Sequence, residues 1–170
     1  MRAIRLHAFG PPENLRPEEV PAPAPGPGEV GMAVEAAGVH LLDTALRAGR
    51  AGGFPLPELP GVPGREVAGT VDTLGSGVPE WWLGRRVVAH LGMVPGGYAE
   101  RAVTAVERLH ELPAELSGAR AVALVGTGRT AAGILRVADP GPPDTVLVMA
   151  AAGGVGSLLV GGARARGARV

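Results

Sequence analysis

The chain of 170 residues contains 28 glycines and 17 prolines, yet 46% of its residues are hydrophobic and only 19% are charged. Its 16 basic residues, all of them arginine, balance 16 acidic residues, so the formal net charge is zero. Disordered chains are poor in apolar residues and nucleic-acid-binding proteins need a basic face, so the composition excludes both. It predicts a globular protein rich in turns, long enough for one domain or for one domain and part of another.

The sequence contains neither cysteine nor lysine. The absence of cysteine excludes disulfides and cysteine-ligated zinc, and it agrees with a reducing, cytoplasmic location. The absence of lysine excludes Schiff-base chemistry and a phosphate loop that depends on lysine. Residues 1–5 precede no apolar run, so we expect no signal peptide.

The first two thirds of the chain are predicted to form short strands separated by glycine and proline turns. Proline at alternate positions in residues 20–28 predicts an extended segment outside the central sheet, and residues 39–48 predict a helical turn. Many short strands favour a small β barrel or sandwich. The predicted strands are residues 2–8, 29–37, 65–74, 85–91 and 98–103.

After Ser117 the pattern becomes helical. Ser117 can cap a helix over residues 119–125, and a second helix is predicted from Arg129 to Ala138, after an interruption at residues 126–128. Residues 139–143 (DPGPP) force a break. The run TVLVM at residues 145–149 then predicts a strand buried on both faces of a parallel sheet. A glycine turn and a helix follow, and residues 167–170 are predicted to begin the next strand.

The turn AAAGGVGS at residues 150–157 is the strongest functional signal. Dinucleotide-binding turns between a strand and a helix need small residues for close approach of the pyrophosphate, and free backbone N–H groups at the helix start face the anion. The G-x-G-x-x-G pattern has alanine at its first position here. The alternative is a glycine-rich turn that binds nothing. The predicted cofactor-binding residues in this turn are Ala152, Gly153, Gly154, Val155 and Gly156.

Residues 145–163 carry no charge over 19 positions, which is long enough to span a bilayer. The five glycines in this stretch favour a strand, a turn and a helix instead. We therefore expect no membrane span.

Six short motifs, in the same order as in the family, make the chain similar to the medium-chain dehydrogenase/reductase superfamily. The resemblance is greatest to its zinc-independent quinone oxidoreductase (zeta-crystallin-like) branch. It implies a GroES-like β barrel as the catalytic domain in residues 1–122 and the start of an NAD(P)-binding Rossmann domain in residues 123–170. That second domain would be incomplete, with only its first βαβ elements, so we expect the natural reading frame to continue. The motifs are VEAAGVHLLD (34–43) with Arg47 and Gly49, PGVPGREVAGTV (60–71), GRRVV (84–88), GGYAE (96–100), GRTA (128–131) and AAAGGVGS (150–157).

Zinc-dependent alcohol dehydrogenases also resemble this chain, but they carry cysteine near His40 and histidine at the position of Arg65. Arginine cannot ligate a cation, and catalytic zinc normally needs three protein ligands. The four histidines of the chain have no paired helical spacing. The resemblance therefore implies that no zinc is bound.

Without a metal, hydride transfer depends mainly on the placement of the reactants. The resemblance implies that His40 and Thr44 lie beside the nicotinamide as catalytic residues and that Thr130 hydrogen-bonds the cofactor. His90 is predicted to line the substrate pocket. Three alternatives remain open: His40 as a polar residue of a cleft, Thr130 as an ordinary residue at a helix start, and His90 as a structural histidine.

The leading hypothesis is a zinc-independent oxidoreductase that reduces a quinone or an enone with NADPH, NADH being the alternative donor. A second enzymatic hypothesis is an enoyl-thioester reductase of the polyketide-synthase type. A third is a non-catalytic fragment or interaction module, since the predicted Rossmann sheet is incomplete. For the same reason we expect the 170 residues alone to be inactive and to bind NADPH weakly or not at all. The resemblance is also compatible with a homodimer.

Overall fold

The structure is a computed structural model that describes residues 1–50, 52–53, 55–92 and 96–170. Contacts within it separate two units, Met1–Val122 and Ala123–Val170. Among the described residues, most regular elements of the first unit are strands, and those of the second unit are helices.

Seven strands among the described residues form two antiparallel sheets in the first unit. The small sheet pairs β1 (Arg2–Leu6) with β2 (Leu15–Glu19). The larger sheet has the strand order β6-β3-β4-β5-β7. Its strands are β3 (Glu29–Ala37), β4 (Glu66–Leu74), β5 (Arg86–His90), β6 (Arg101–Ala105) and β7 (Leu109–Glu111).

The core of the first unit is formed by valines and a methionine of the larger sheet. Branching at Cβ suits valine to a pleated, buried surface, and each fully buried side chain of this size contributes about 1.5–3 kcal/mol. Burial of this set holds β4 and β5 in one register, in which Glu66 lies opposite His90. The fully buried members are Val30, Met32, Val67, Val71 and Val87.

Helix α1 spans Leu41–Arg47 and lies within the helical turn predicted for residues 39–48. His40 is its N-cap residue, and the backbone N–H of His40 donates to Oδ2 of Asp43 at 2.8 Å. Gly49 follows the helix with φ of +75°, a conformation that glycine adopts without steric cost. His40 and Asp43 are therefore both held at the start of a helix.

Helices α2 (Gly118–Val125) and α3 (Thr127–Ala138) are separated at Gly126, as predicted. The backbone N–H of Arg120 donates to Oγ of Ser117 at 3.4 Å, so the predicted helix cap is confirmed. Within the described ranges, no single helix is long and apolar enough to cross a membrane. Taken together, α2 and α3 form one bent pair that passes that test by length and composition alone.

Helix α4 (Gly154–Ala165) packs against α3 in the second unit. A Cβ on Gly162 would lie 2.3 Å from Cδ1 of Leu135, so the glycine lets the two helices approach closely. Pairing also occurs in parallel between Thr145 and Arg169: the backbone N–H of Val146 donates to the carbonyl oxygen of Arg169 at 2.8 Å.

The prediction of a strand buried on both faces at residues 145–149 is wrong. Only Thr145 forms a bridge, and Leu147 and Met149 are 85% and 79% exposed. An apolar run becomes a central strand only when neighbouring strands pair with both of its edges. Among the described residues, the segment around Arg169 is the one partner that pairs here, and its hydrogen bonds reach no further along the run than Val146.

Candidate active site

Glu66 is a buried carboxylate at the start of β4 that faces two histidines. Its Oε2 atom lies 2.5 Å from Nε2 of His40, and its Oε1 atom lies 3.9 Å from Nε2 of His90. Glu66 and His90 are directly paired across β4 and β5, and side chains of directly paired residues project from the same face of a sheet. His40 reaches the same carboxylate from the start of α1. We call these three residues the Glu66 cluster.

Gly38 makes room for the Glu66 cluster. A Cβ at this position would lie 3.2 Å from Oε2 of Glu66 and 2.8 Å from Cγ1 of Val122. The backbone N–H of Gly38 donates to the carbonyl oxygen of Glu66 at 2.9 Å, which ties the chain after β3 to β4. A larger residue at position 38 would therefore separate His40 from its carboxylate partner.

The hydrogen bonds indicate which nitrogen of each imidazole carries a proton. The backbone N–H of Gly92 donates to Nδ1 of His90 at 3.0 Å, so the proton of the neutral ring is on Nε2, on the side of Glu66. An ionised carboxylate only accepts hydrogen bonds, so His40 faces Glu66 with Nε2–H. Both rings therefore present an N–H to one buried carboxylate.

Asp43, Arg65 and Tyr98 lie beside the Glu66 cluster and set its charge. Nε of Arg65 is 3.7 Å from Oδ1 of Asp43, and both side chains are largely buried. The Tyr98 hydroxyl is buried without a hydrogen-bond partner among the described residues. Burial and, after it, the negative charge of Asp43 raise the pKa of Tyr98, so the phenol stays neutral. Two carboxylates and one guanidinium leave a single negative charge, which one protonated histidine would neutralise.

Of the three predicted catalytic and substrate-pocket residues, the structure brings two, His40 and His90, together through Glu66. Thr44 lies one turn into α1, where its hydroxyl donates to the carbonyl oxygen of Leu41 at 2.7 Å. Glu66 was not singled out from the sequence. The available signal was its place in the GREVAG motif, one residue after the arginine that replaces a zinc ligand of the relatives.

The glycine turn at residues 150–157 leads directly into α4. The chain turns at Ala150, which has φ of +52°, and the backbone N–H of Gly153 donates to the carbonyl oxygen of Ala150 at 2.9 Å. Gly153 is the N-cap residue of α4, with no side-chain cap. The first backbone N–H groups of a helix have no partner within it, and here they belong to Gly154, Val155 and Gly156.

The turn is shaped to receive an anion. Ala152, Gly153 and Gly154 are exposed, so nothing in the second unit covers the backbone that would approach a ligand. A Cβ on Gly156 would lie 2.3 Å from the carbonyl oxygen of Ala150, so only glycine permits this packing. These residues fit the pyrophosphate of a dinucleotide, since backbone N–H groups and the helix dipole both favour negative charge.

Helix α3 has two threonines that bear on this turn: Thr130, which was predicted to bind the cofactor, and Thr127, which lies beside the turn. The Thr130 hydroxyl donates to the carbonyl oxygen of Gly126 at 3.0 Å, as for an ordinary residue of a helix start. The methyl group of Thr127 would be 3.2 Å from a Cβ on Gly154. Thr127, which the sequence did not indicate, therefore lies beside the first residue of α4.

The described residues contain no group of three or more histidine, cysteine, aspartate or glutamate side chains arranged to hold a metal ion. An apolar pocket of about 440 Å³ has Asp43 and the two arginines Arg47 and Arg65 in its wall. Its apolar lining includes Leu6, Leu46 and Leu56.

Comparison with known proteins places this geometry in a family. The family described as alcohol dehydrogenase GroES-like domain matches residues 26–114. A 2-haloacrylate reductase from a Burkholderia species is 37% identical over 171 residues, covering 99% of this chain and 51% of that protein. The quinone oxidoreductase of Rattus norvegicus is 38% identical over 172 residues, covering 100% of this chain and 51% of that protein.

Solved structures agree with the curated relatives. The Escherichia coli quinone oxidoreductase complexed with NADPH superposes with a TM-score of 0.88 at 34% identity, over 99% of this chain and 51% of that chain. The quinone oxidoreductase of Pseudomonas syringae superposes with a TM-score of 0.87 at 36% identity, over 98% of this chain and 50% of that chain. The predicted fold class is confirmed. The chain spans about half the length of the curated relatives it matches.

Proposed function

We propose a function from one premise: the chain belongs to the quinone oxidoreductase branch of the medium-chain dehydrogenase/reductase superfamily and carries its alcohol dehydrogenase GroES-like domain. Its relatives are oxidoreductases. The proposed reaction is the two-electron reduction of a quinone or another conjugated carbonyl compound, with NADPH as the preferred donor, NADH as the alternative and no zinc.

The observation that carries the proposal is the exposed glycine turn at the start of α4, with three backbone N–H groups free to bind an anion. Gly154, Val155 and Gly156 would hold the pyrophosphate through their backbone N–H groups, Gly153 caps the helix without a side chain, and Ala152 is small enough to leave the turn accessible. When bound there, a reduced nicotinamide supplies a hydride. Support for NADPH comes from the Escherichia coli relative, whose structure contains it.

His40 is the proposed source of the proton. Reduction of a conjugated carbonyl leaves negative charge on oxygen, and an imidazole at hydrogen-bonding distance can protonate it. Thr44 and Thr130 each donate their hydroxyl proton to a main-chain carbonyl. We propose that the hydroxyl oxygens of these two threonines act toward a ligand as hydrogen-bond acceptors.

A second candidate substrate class is a conjugated carboxylic acid, and Arg65 favours it. Nε of Arg65 is buried and has no hydrogen-bond partner among the described residues, and the side chain lines the apolar pocket of about 440 Å³. A guanidinium binds a carboxylate through two parallel hydrogen bonds. The relative from Burkholderia acts, by its name, on a 2-haloacrylate, which is an acid of this class.

Consumption of NADPH or NADH by the full-length protein tests the proposal, with a naphthoquinone, 2-chloroacrylate and a crotonyl thioester as acceptors. We expect turnover of the quinone with NADPH, undiminished by a chelator. Gly156→Ala should weaken NADPH binding, measured by calorimetry, whereas Gly161→Ala should not, because a Cβ on Gly161 meets no atom within 4 Å. Turnover of the thioester alone would favour the enoyl reductase hypothesis. Loss of turnover on chelation, or equal binding by the two variants, would count against the proposal.

A further inference from the structure

We propose that Glu66 is a positioning residue for His40. It holds the imidazole with Nε2–H toward its carboxylate, so that a second ring proton is carried on Nδ1 and passed to the oxygen of the reduced substrate. This inference rests on the proposed function and deepens it, because it assigns the origin and the path of the proton.

The burial of Glu66 is the first step of the argument. A buried carboxylate is costly unless N–H donors replace the water it has lost. Nε2–H of His40 is such a donor at 2.5 Å from Oε2, and Nε2 of His90 adds a more distant polar contact at 3.9 Å from Oε1. Because a charge-assisted hydrogen bond is stronger than a neutral one, the His40 ring is held in one orientation and one tautomer.

A second histidine–glutamate pair in the same protein shows that the burial of the carboxylate distinguishes the His40–Glu66 pair. His7 and Glu18 make the same contact, with Nε2 2.5 Å from Oε1. Their side chains are 38% and 27% exposed, whereas those of His40 and Glu66 are 34% and 5% exposed. The histidines are equally accessible, so the two pairs differ mainly in the burial of the carboxylate. Water competes for Glu18 far more than for Glu66.

The neighbouring groups favour His40 as the ring that takes up the extra proton. Nε2 of His40 lies 2.5 Å from the carboxylate of Glu66, whereas Nε2 of His90 lies 3.9 Å from it, so the positive charge of a second ring proton is better stabilised on His40. The opposite charges of Asp43 and Arg65 cancel, and Tyr98 is neutral. With both imidazoles neutral the group carries one negative charge, and a proton on His40 removes it.

Reduction of the conjugated substrate by a hydride, which a bound nicotinamide would supply, leaves an electron pair on the substrate oxygen. The Nδ1–H bond of His40 breaks, an O–H bond forms, and the ring is left neutral with its remaining proton on Nε2. That product is the tautomer that Glu66 already holds, so little rearrangement accompanies the transfer. A buried aspartate orients the catalytic histidine of serine proteases in the same way.

Nitrogen-15 NMR of labelled histidine tests the positioning without any need for activity. The sequence has four histidines, and single His→Gln changes assign their signals. We expect His40 and His90 of the unaltered chain to be Nε2–H tautomers near neutral pH. Glu66→Gln should make His40 a mixture of tautomers, whereas the matched change Glu18→Gln should alter only His7. If His40 carries its proton on Nδ1 in the unaltered chain, the proposal is wrong, and this result requires no variant to fold.

Turnover of a quinone is the second measurement. Glu66→Gln should lower kcat by about 100-fold, the scale of general acid catalysis, with an unchanged KM for NADPH. The alkaline limb of the pH profile should move to lower pH, because the protonated ring has lost its carboxylate partner. Glu18→Gln should leave both unchanged. A lower kcat with an unmoved pH profile would indicate a merely structural role and overturn the proposal. Absence of turnover in the unaltered chain would refute the proposed function and leave the NMR result to decide on Glu66.

Discussion

Replacement of Gly156 by alanine should destabilise the second unit, whereas the same change at Gly161, in the same helix, should stabilise it. A Cβ on Gly156 would lie 2.3 Å from the carbonyl oxygen of Ala150 and 2.8 Å from Cα of Ala151. Both are backbone atoms that cannot rotate aside, and overpacking of this kind costs about 1–3 kcal/mol. A Cβ on Gly161 meets no atom within 4 Å, and alanine is favoured over glycine in a helix interior by about 0.8–1.0 kcal/mol. The free energies of unfolding of the two variants should therefore differ by roughly 2–4 kcal/mol.

Urea unfolding followed by far-ultraviolet circular dichroism measures this difference. Both tryptophans and the single tyrosine lie in the first unit, so fluorescence would report on the wrong part of the chain. Gly162→Ala should be intermediate, because its Cβ would meet Cδ1 of Leu135, the end of a flexible side chain. If Gly156→Ala proved at least as stable as Gly161→Ala, the packing argument for the turn would be refuted.

Four further substitutions test the packing and the charges of the first unit. Gly64 and Gly77 have φ of +89° and +80°, but only a Cβ on Gly64 would meet other atoms, the nearest being Cδ1 of Tyr98 at 2.3 Å. Gly64→Ala should therefore cost about 1–3 kcal/mol more than Gly77→Ala in urea unfolding followed by tryptophan fluorescence. Tyr98 is the one tyrosine of the sequence, and a spectrophotometric titration should give it a pKa above the ordinary value of 10.0. Asp43→Asn should lower that pKa, because a nearby negative charge is removed. A hydrogen bond from the neighbouring histidine lowers the pKa of Glu18, so its stabilisation is present above the ordinary value of 4.5 and is lost as the pH falls below it. The difference in Tm between the unaltered chain and Glu18→Gln should accordingly shrink in acid, and a constant difference would contradict this reasoning.

The strands that the sequence predicts well are those with many buried valines. Residues 29–37 were predicted to form a strand and are β3, and the prediction for residues 65–74 differs from β4 by one residue. Strand β2 was missed because it contains Pro17 and three charged residues, and its only pairing is with β1. Strand β7 was missed because three residues are too few for a period of two to be recognised.

The run at residues 145–149 shows a different limit. The apolar composition of this run indicates that its side chains would be buried if strands lay on both sides of it. Composition does not state whether such strands are present, and the bridge between Thr145 and Arg169 is the one pairing that the described residues provide. A strand in a parallel sheet depends on segments distant in sequence, so local pattern alone cannot decide it.

The two parts of the candidate site differ in the same way. The glycine turn is contiguous, and its chemistry is that of its own backbone, so the order of residues 150–157 was enough to indicate it. The Glu66 cluster joins three segments, with His40 26 residues before Glu66 and His90 brought opposite it by the register of β4 and β5. Read singly, each histidine was as compatible with a structural role as with a chemical one. Only the buried carboxylate between them distinguishes the two roles, and whether a carboxylate is buried is a property of the folded sheet.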